Sequence, residues 1–298
     1  MTWYPFFNQP TYGYLKRSSS IIVSSFGSRV LNARSAIHKT KSILSGFRKQ
    51  QKPVYYFALD VSRDSLEDSL FELRRSFEDC HFIMITGLLG TYDDCVTWLS
   101  GLESPRKDQS LTFLWLGNSI SNMDSQKEAS GFLERFSTAC RHAQLGCRFV
   151  VSTDICQKDA KVLEAYDIEG SELRDFLSNA LESANLALGY EAFSAADWTP
   201  SVWLDNYERT LHCYMMANRD VLIPLQSSAY SRETVAIRKG ERLHVIASGK
   251  WSEDAMGSIC EQAGFRIQKR WKDNAGDYCK RSFSTLPTCD VLANHGLT

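Results

Sequence analysis

The sequence predicts an α/β fold: a doubly wound parallel sheet, followed by a region of different rhythm. Three observations carry this. First, near-continuous apolar runs at Val54 to Ser62 (VYYFALDVS), His81 to Asp94 (HFIMITGLLGTYDD) and Leu111 to Asn122 (LTFLWLGNSISN) each break off in a polar or glycine-bearing segment. Strands buried on both faces read this way. Second, the stretches between them carry helical spacing, which gives the βα repetition of a parallel sheet. Third, the repetition stops after Asp154, where helices and then aromatic strand-like pieces follow one another.

Taken in order, Ser20 to Ser25 (SIIVSS) is a candidate first strand, and Lys39 to Gln51 places Ile43, Leu44 and Phe47 on one helical face. The strand ending at Asp60 leads into a helix beginning near Asp64, with a stripe of Leu66, Leu70, Phe71 and Leu73. A strand at Phe82 to Ile85, a helix at Asp93 to Leu99, a strand at Thr112 to Leu116, a helix from Ser125 to Ala143 and a strand from Cys147 to Ile155 continue the alternation. Two helical segments follow, DAKVLEAYD and Glu172 to Leu188, with no strand between them. Asp197 to Asp205, Arg209 to Ala217 and Glu241 to Trp251 then read as strands, the last with Leu243, Val245 and Ala247 on one face. A helix at Glu253 to Gln262 stops at Gly264, a C-cap signal, and the chain closes with FRIQKRW and a short tail.

Composition narrows the class. The 298 residues are 43% hydrophobic with a net charge of -1, which gives no global reason for nucleic acid or anionic membrane as a partner. No apolar run approaches the roughly 18 residues of a spanning helix. The nine cysteines lack a CxxC pair and read as free, mostly buried thiols in a reducing compartment. Residues 1–52 hold nine Lys or Arg and no acidic residue, so residues 1–19 form a basic leader. A cytoplasmic location is expected, with a mitochondrial leader as the alternative.

Asp60 follows an apolar strand at the position where an acidic side chain commonly holds ribose hydroxyls. The competing role is a helix N-cap, for which Ser62 is also placed. Gly87 and Gly90 bracket Leu88 and Leu89 in what reads as a turn, open to a flat ring with apolar cover. The small and amide residues of LGNSISN, among them Gly117 and Asn122, keep the backbone open after a strand. The six histidines form no HxxxH or HxH pair, which argues against a metal site, and His212 and His244 read as structural. No GxSxG elbow or P-loop is present.

Together, YYFALDVSRDSLEDSL, GLLGTYDDCVTWL, LGNSISN and TDICQKDAKVLEAYD resemble, in order and spacing, the histidine-specific methyltransferase family, from about Lys39 to Tyr278. That family uses S-adenosylmethionine. It includes the enzymes that trimethylate histidine toward ergothioneine and the fungal dimethylallyltryptophan N-methyltransferases, and the wording of YYxALDVS and GLLGTYDD looks nearer the second group. The resemblance implies a class I methyltransferase core, Rossmann-like, at 20–158 and 252–298, with an inserted α+β substrate-binding domain at 159–251. It implies that Asp60 binds the ribose, Leu88 and Leu89 frame the adenine, and Lys39 reaches the methionyl carboxylate, with Gly87 and Gly117 beside them. It places Asn122 and Tyr166 on the amino-acid backbone of a small-molecule substrate and matches Ser248 to a substrate-side serine. The expected protein is a monomer that takes no metal, nucleic acid or membrane.

Two departures matter. The glycine-rich loop before Lys39 retains only Gly27, and without glycines the backbone approaches a ligand less closely. Ile246 stands where histidine-methylating members carry a glutamate that contacts the imidazole, which suits a more apolar side chain. The expected reaction is therefore methyl transfer to the α-amino group of an aromatic amino acid, a tryptophan derivative such as dimethylallyltryptophan. Histidine methylation and a non-catalytic homologue stay open. No residue is identifiable as a general base.

Overall fold

Parallel pairing organises the first half of the chain. A computed structural model describes residues 20–25, 33–102, 110–228 and 231–285. Strands and helices alternate as β1 (Ser20–Ser25), α1 (Ala33–Lys49), β2 (Val54–Asp60), α2 (Arg63–Ser76), β3 (Ile83–Leu89), α3 (Tyr92–Ser100), β4 (Ser110–Trp115), α4 (Gln126–His142) and β5 (Gly146–Asp154). The rhythm then changes to α5 (Asp159–Ala165), α6 (Ser171–Leu188), β6 (Trp198–Asp205), β7 (Thr210–Ala217), β8 (Val221–Ser228), β9 (Ser231–Ile237) and β10 (Arg242–Gly249). The last elements are α7 (Glu253–Gln262), β11 (Phe265–Lys272) and β12 (Tyr278–Thr285).

Seven strands share one sheet in the order β11-β12-β5-β4-β1-β2-β3. β1 to β5 run parallel, whereas β12 is antiparallel to both of its neighbours. The order reverses between β1 and β4, and in open α/β sheets ligands collect at the carboxyl ends beside such a reversal. One face carries an aromatic ladder. Phe149 stacks on Phe113 at 4.7 Å, on Trp115 at 5.2 Å and on Phe283 at 5.3 Å, which links β4, β5 and β12. From α4, Phe136 meets Phe113 edge-on at 4.9 Å. Such pairs add about 0.5–1.5 kcal/mol each beyond area burial. On the opposite face, α1 and α2 bury Leu44, Leu66, Leu70 and Leu73 against Tyr56 and Ala58. No helix among the described residues is long and apolar enough to cross a membrane.

The remaining strands form a three-stranded antiparallel sheet, β10-β7-β6, and a β8-β9 hairpin. Leu211, Cys213, Met215 and Ala217 of β7 alternate onto one face and bury against Leu177 and Leu181 of α6. Eight cysteines are free and buried, as expected, and Cys289 lies outside the described residues. Burial pushes the thiols of Cys95 and Cys260 up to about 12.

Four readings from sequence need correction, the first being that Leu243 and Ala247 share a face: a bulge between His244 and Ile246 sets Leu243 opposite Met215 and Ala247 opposite His212, on opposite sides of the sheet. The expected short tail contains β12, which sits inside the sheet between β5 and β11. Its sequence YCKRSFST is half polar, yet Cys279, Arg281 and Phe283 alternate into burial. The β8-β9 hairpin was not anticipated either: Pro224 lies within β8 and Leu222 is exposed, as suits a two-stranded ribbon. Finally, Gly87, Leu88 and Leu89 belong to β3 and only Gly90 follows it, so the expected turn is mostly strand.

Candidate functional site

At the tip of β2, the apolar run delivers Asp60 to the edge of the sheet, 4% exposed. Its Oδ1 accepts the backbone N–H of Ser62 at 2.8 Å. Its Oδ2 is buried with no hydrogen-bond partner. Ser62 is the N-cap of α2, accepting from the N–H of Ser65 at 3.4 Å. The capping role therefore falls to Ser62, and Asp60 keeps one carboxylate oxygen to offer. A buried polar atom in this state costs about 1–3 kcal/mol, more when charged, unless a ligand completes it. Paired hydroxyls of a ribose fit that need, since they supply donors to a carboxylate.

Beside it, Lys39 leans from α1 across the end of β4 and donates to the carbonyl of Leu116 at 2.8 Å. Burial, then the charge of Lys280, lowers its pKa. One N–H serves Leu116, and an ammonium carries further donors for an anionic group. The next residue, Gly117, is exposed, and a Cβ there would meet nothing within 4 Å. Gly27 lies outside the described residues.

The GLLG segment behaves differently from the expectation. A Cβ on Gly87 would lie 2.7 Å from Cδ1 of Leu70, so its bareness serves the packing of α2 on β3. Leu88 is buried in the aromatic core, and Leu89 packs toward the α1–α2 face. Neighbours on a strand point to opposite faces, so these two side chains do not cover one ring together.

A second constellation forms where β5, α5 and β10 meet. Tyr166 caps the C-terminus of α5, and its hydroxyl lies 3.0 Å from Oγ of Ser248. Two residues distant in sequence are thus brought together. Sequence reading missed what joins them. Lys250, 1% exposed, donates to Tyr166 Oη at 3.0 Å and to Ser248 Oγ at 3.1 Å, and pairs with Asp154 Oδ2 at 2.9 Å. Burial pulls the Lys250 pKa down, but Tyr166 and Asp154 outweigh it and leave it above its ordinary value. Asp154 is itself fixed: its Oδ1 accepts from Cys156 N–H at 2.9 Å, and its own N–H donates to Asn118 at 2.9 Å.

Donor counting gives this cluster a direction. An ammonium has three N–H groups, and Lys250 commits one to each partner. Both hydroxyl oxygens accept from it, so each keeps its own O–H. One O–H suffices for the Tyr166–Ser248 contact, and the other is left to donate outward, strengthened by the charge behind it. Ile246, on β10 two residues before Ser248, is half-buried against the apolar cluster that includes Tyr166. Asn122 ends a 3-10 turn at Ser119–Asn122 that packs on β10, and it is exposed.

On the other face of the three-stranded sheet, His212, His244 and Asp124 present ligand atoms that all lie within 4.8 Å of one another. Burial, then the proximity of His244, lowers the pKa of His212. Sequence spacing could not show this group, because strand pairing rather than a short motif assembles it.

The reversed strand order and the acid at the tip of β2 define a class, a doubly wound Rossmann-like fold with a nucleoside-type site at the carboxyl ends of its strands. A family model described as "Histidine-specific methyltransferase, SAM-dependent" matches residues 14–284, and the chain belongs to that family. It is 40% identical over 264 residues to the N-methyltransferase benX of Aspergillus terreus, an alignment covering 88% of this chain and 72% of that protein. It is 36% identical to the N-methyltransferase dtpB of Aspergillus flavus over 82% of this chain and 67% of that one. The 4-dimethylallyltryptophan N-methyltransferase ifgB of Penicillium roqueforti is 26% identical, over 85% of this chain and 73% of its own length. The likeness is thus stronger to fungal N-methyltransferases whose names state no substrate than to the dimethylallyltryptophan group expected from the wording of the motifs. The chain is an S-adenosylmethionine-dependent N-methyltransferase.

Proposed function

We propose that the enzyme methylates the α-amino nitrogen of an aromatic amino acid, with tryptophan derivatives such as dimethylallyltryptophan as the favoured class. The observation that carries this is Ile246. It places an apolar surface beside Ser248 where a histidine ring would require an acceptor, and an unpaired polar ring edge loses affinity. In this reading, residues 20–158 and 252–298 hold the donor and residues 159–251 hold the acceptor. Asp60 binds the ribose through its unpartnered oxygen, and Lys39 neutralises the methionyl carboxylate near Gly117. Leu89 and Gly90, at the end of β3, border the adenine. Asn122, Tyr166 and Ser248 orient the amino acid, with the outward hydroxyl donating to its carboxylate.

S-adenosylmethionine supplies a methyl group on a sulfonium, which is already a good leaving group. The chain's own contribution is positioning, and holding the amine neutral so that its lone pair faces the methyl. The Lys250–Asp154 pair fixes Tyr166 and Ser248 relative to each other. A panel of histidine, tryptophan and 4-dimethylallyltryptophan, assayed for kcat/KM, tests the assignment. The expected result is faster transfer to the tryptophan compounds, with Ile246→Glu shifting the ratio toward histidine by roughly tenfold. Transfer to histidine alone would overturn it.

A further inference from the structure

The geometry points to a divalent transition-metal site, of the zinc type, formed by His212, His244 and Asp124 on the outer face of the β10-β7-β6 sheet. His212 Nδ1 and His244 Nε2 lie 3.3 Å apart. Two imidazole nitrogens bound to one tetrahedral ion at about 2.0–2.1 Å stand roughly 3.3–3.4 Å from each other. The pair is thus spaced as an edge of that tetrahedron. Asp124 Oδ1 is 4.0 Å from His244 Nε2. Its side chain is exposed on the segment joining the 3-10 turn to α4, so a short rotation closes the third position.

The backbone is built to bring the two imidazoles together. Ala247 pairs with His212 across β10 and β7, and unbroken alternation would then pair Val245 with Tyr214 and turn His244 to the opposite, apolar face. A bulge between His244 and Ile246 adds one residue, so His244 pairs with Tyr214 and projects on the same side as His212. Bulges break ladder bonds, and this one re-aims a single imidazole. Flanking rings then restrict His212. Trp203 stacks on it at 5.6 Å with a 20° interplanar angle, and Tyr214 lies at 6.0 Å.

Two nitrogens and one carboxylate suit zinc, cobalt or nickel and disfavour magnesium or calcium, which take oxygen ligands. Asp124 follows Asn122 by two residues, so a bound ion would tie the second sheet to the segment that carries Asn122. The site stands apart from the methyl-transfer assignment, and its test does not depend on substrate.

The experiment is titration of the tag-free full chain with Zn2+ by calorimetry and with Co2+ by visible absorbance. One equivalent per chain is expected, with a Co2+ spectrum of low coordination number and a Zn2+-dependent rise in Tm. His212→Ala and His244→Ala should each weaken binding roughly tenfold or more and abolish the Tm rise, and Asp124→Asn should weaken it less. Unchanged affinity for S-adenosylmethionine in these variants verifies that they fold. The proposal is overturned if the wild-type chain takes up no equivalent at a large excess of metal. Binding that survives loss of both histidines overturns it equally.

Discussion

At the tip of β2 the carboxylate of Asp60 is 4% exposed and one of its oxygens has no partner. At the meeting of β5 and β10 the ammonium of Lys250 is 1% exposed and all three of its donors are committed. Both are charges withdrawn from water, the first at the end of one strand of the large sheet and the second where that sheet meets the smaller one. Spare capacity at Asp60 is unfavourable in the free protein and is relieved by a hydroxyl-bearing ligand. Saturation at Lys250 leaves nothing for a ligand directly and instead fixes two hydroxyls, one of which keeps an O–H to donate outward. A substitution at the first should therefore cost affinity, and one at the second should cost stability.

The largest effect is expected from Lys250→Met. It strands Asp154, and breaking a buried pair typically costs ~3–5 kcal/mol. Asp154 is 31% exposed and can hydrate, so the lower end applies, near ~3 kcal/mol by denaturant unfolding. The KM for the amino acid should rise as well, because Tyr166 and Ser248 lose their anchor. A variant as stable as wild type would erase the contrast.

Asp60→Ala comes next. Hydrogen bonds to a charged group contribute ~1.5–3 kcal/mol, so affinity for S-adenosylmethionine should fall roughly ten- to hundredfold while unfolding midpoints change little. Unaltered donor affinity by calorimetry would remove Asp60 from the site.

The pH response sharpens the comparison further. The Lys250 pKa in the folded chain lies above the ordinary value of 10.5. Its contribution is fully present below that value and is lost as pH rises through the folded pKa. The stability gap between wild type and Lys250→Met should stay flat up to about pH 10 and narrow above it. The smallest effect is Ser62→Ala, which removes the α2 cap for about 1 kcal/mol without changing donor affinity. A large affinity loss there would mean that Ser62, not Asp60, governs the tip of β2.

The strands β2 and β4 are legible in the sequence because burial on both faces leaves few polar residues in them, and α2 shows an apolar stripe of which Leu66, Leu70 and Leu73 are buried and Phe71 is exposed. β12 is not legible, because Lys280, Arg281 and the serines read as a solvated tail. Arg281 is nevertheless fully buried, donating to Thr153 at 2.7 Å, a partner fixed only by the antiparallel pairing with β5. The same physics hides Lys250. A lysine after a strand normally marks water, and only the approach of Asp154 and Tyr166 makes burial tolerable there. Tyr166 and Ser248 were reachable through family wording. The bulge that turns His244 has no sequence signature in VIAS.

The placement of β12 has a consequence for synthesis. Among the described residues it is the final strand in chain order, yet it fills an interior slot between β5 and β11, where Phe283 completes the aromatic ladder. On the ribosome, β5 must wait with an open edge while the whole second sheet is translated. Within that sheet β6 and β7 are neighbours in sequence and can pair early, and β10 joins β7 once the β8-β9 hairpin between them has been made. Nascent chains halted before Tyr278 should therefore expose Phe149 to chaperones, and release of the last strand should bury it in one cooperative step.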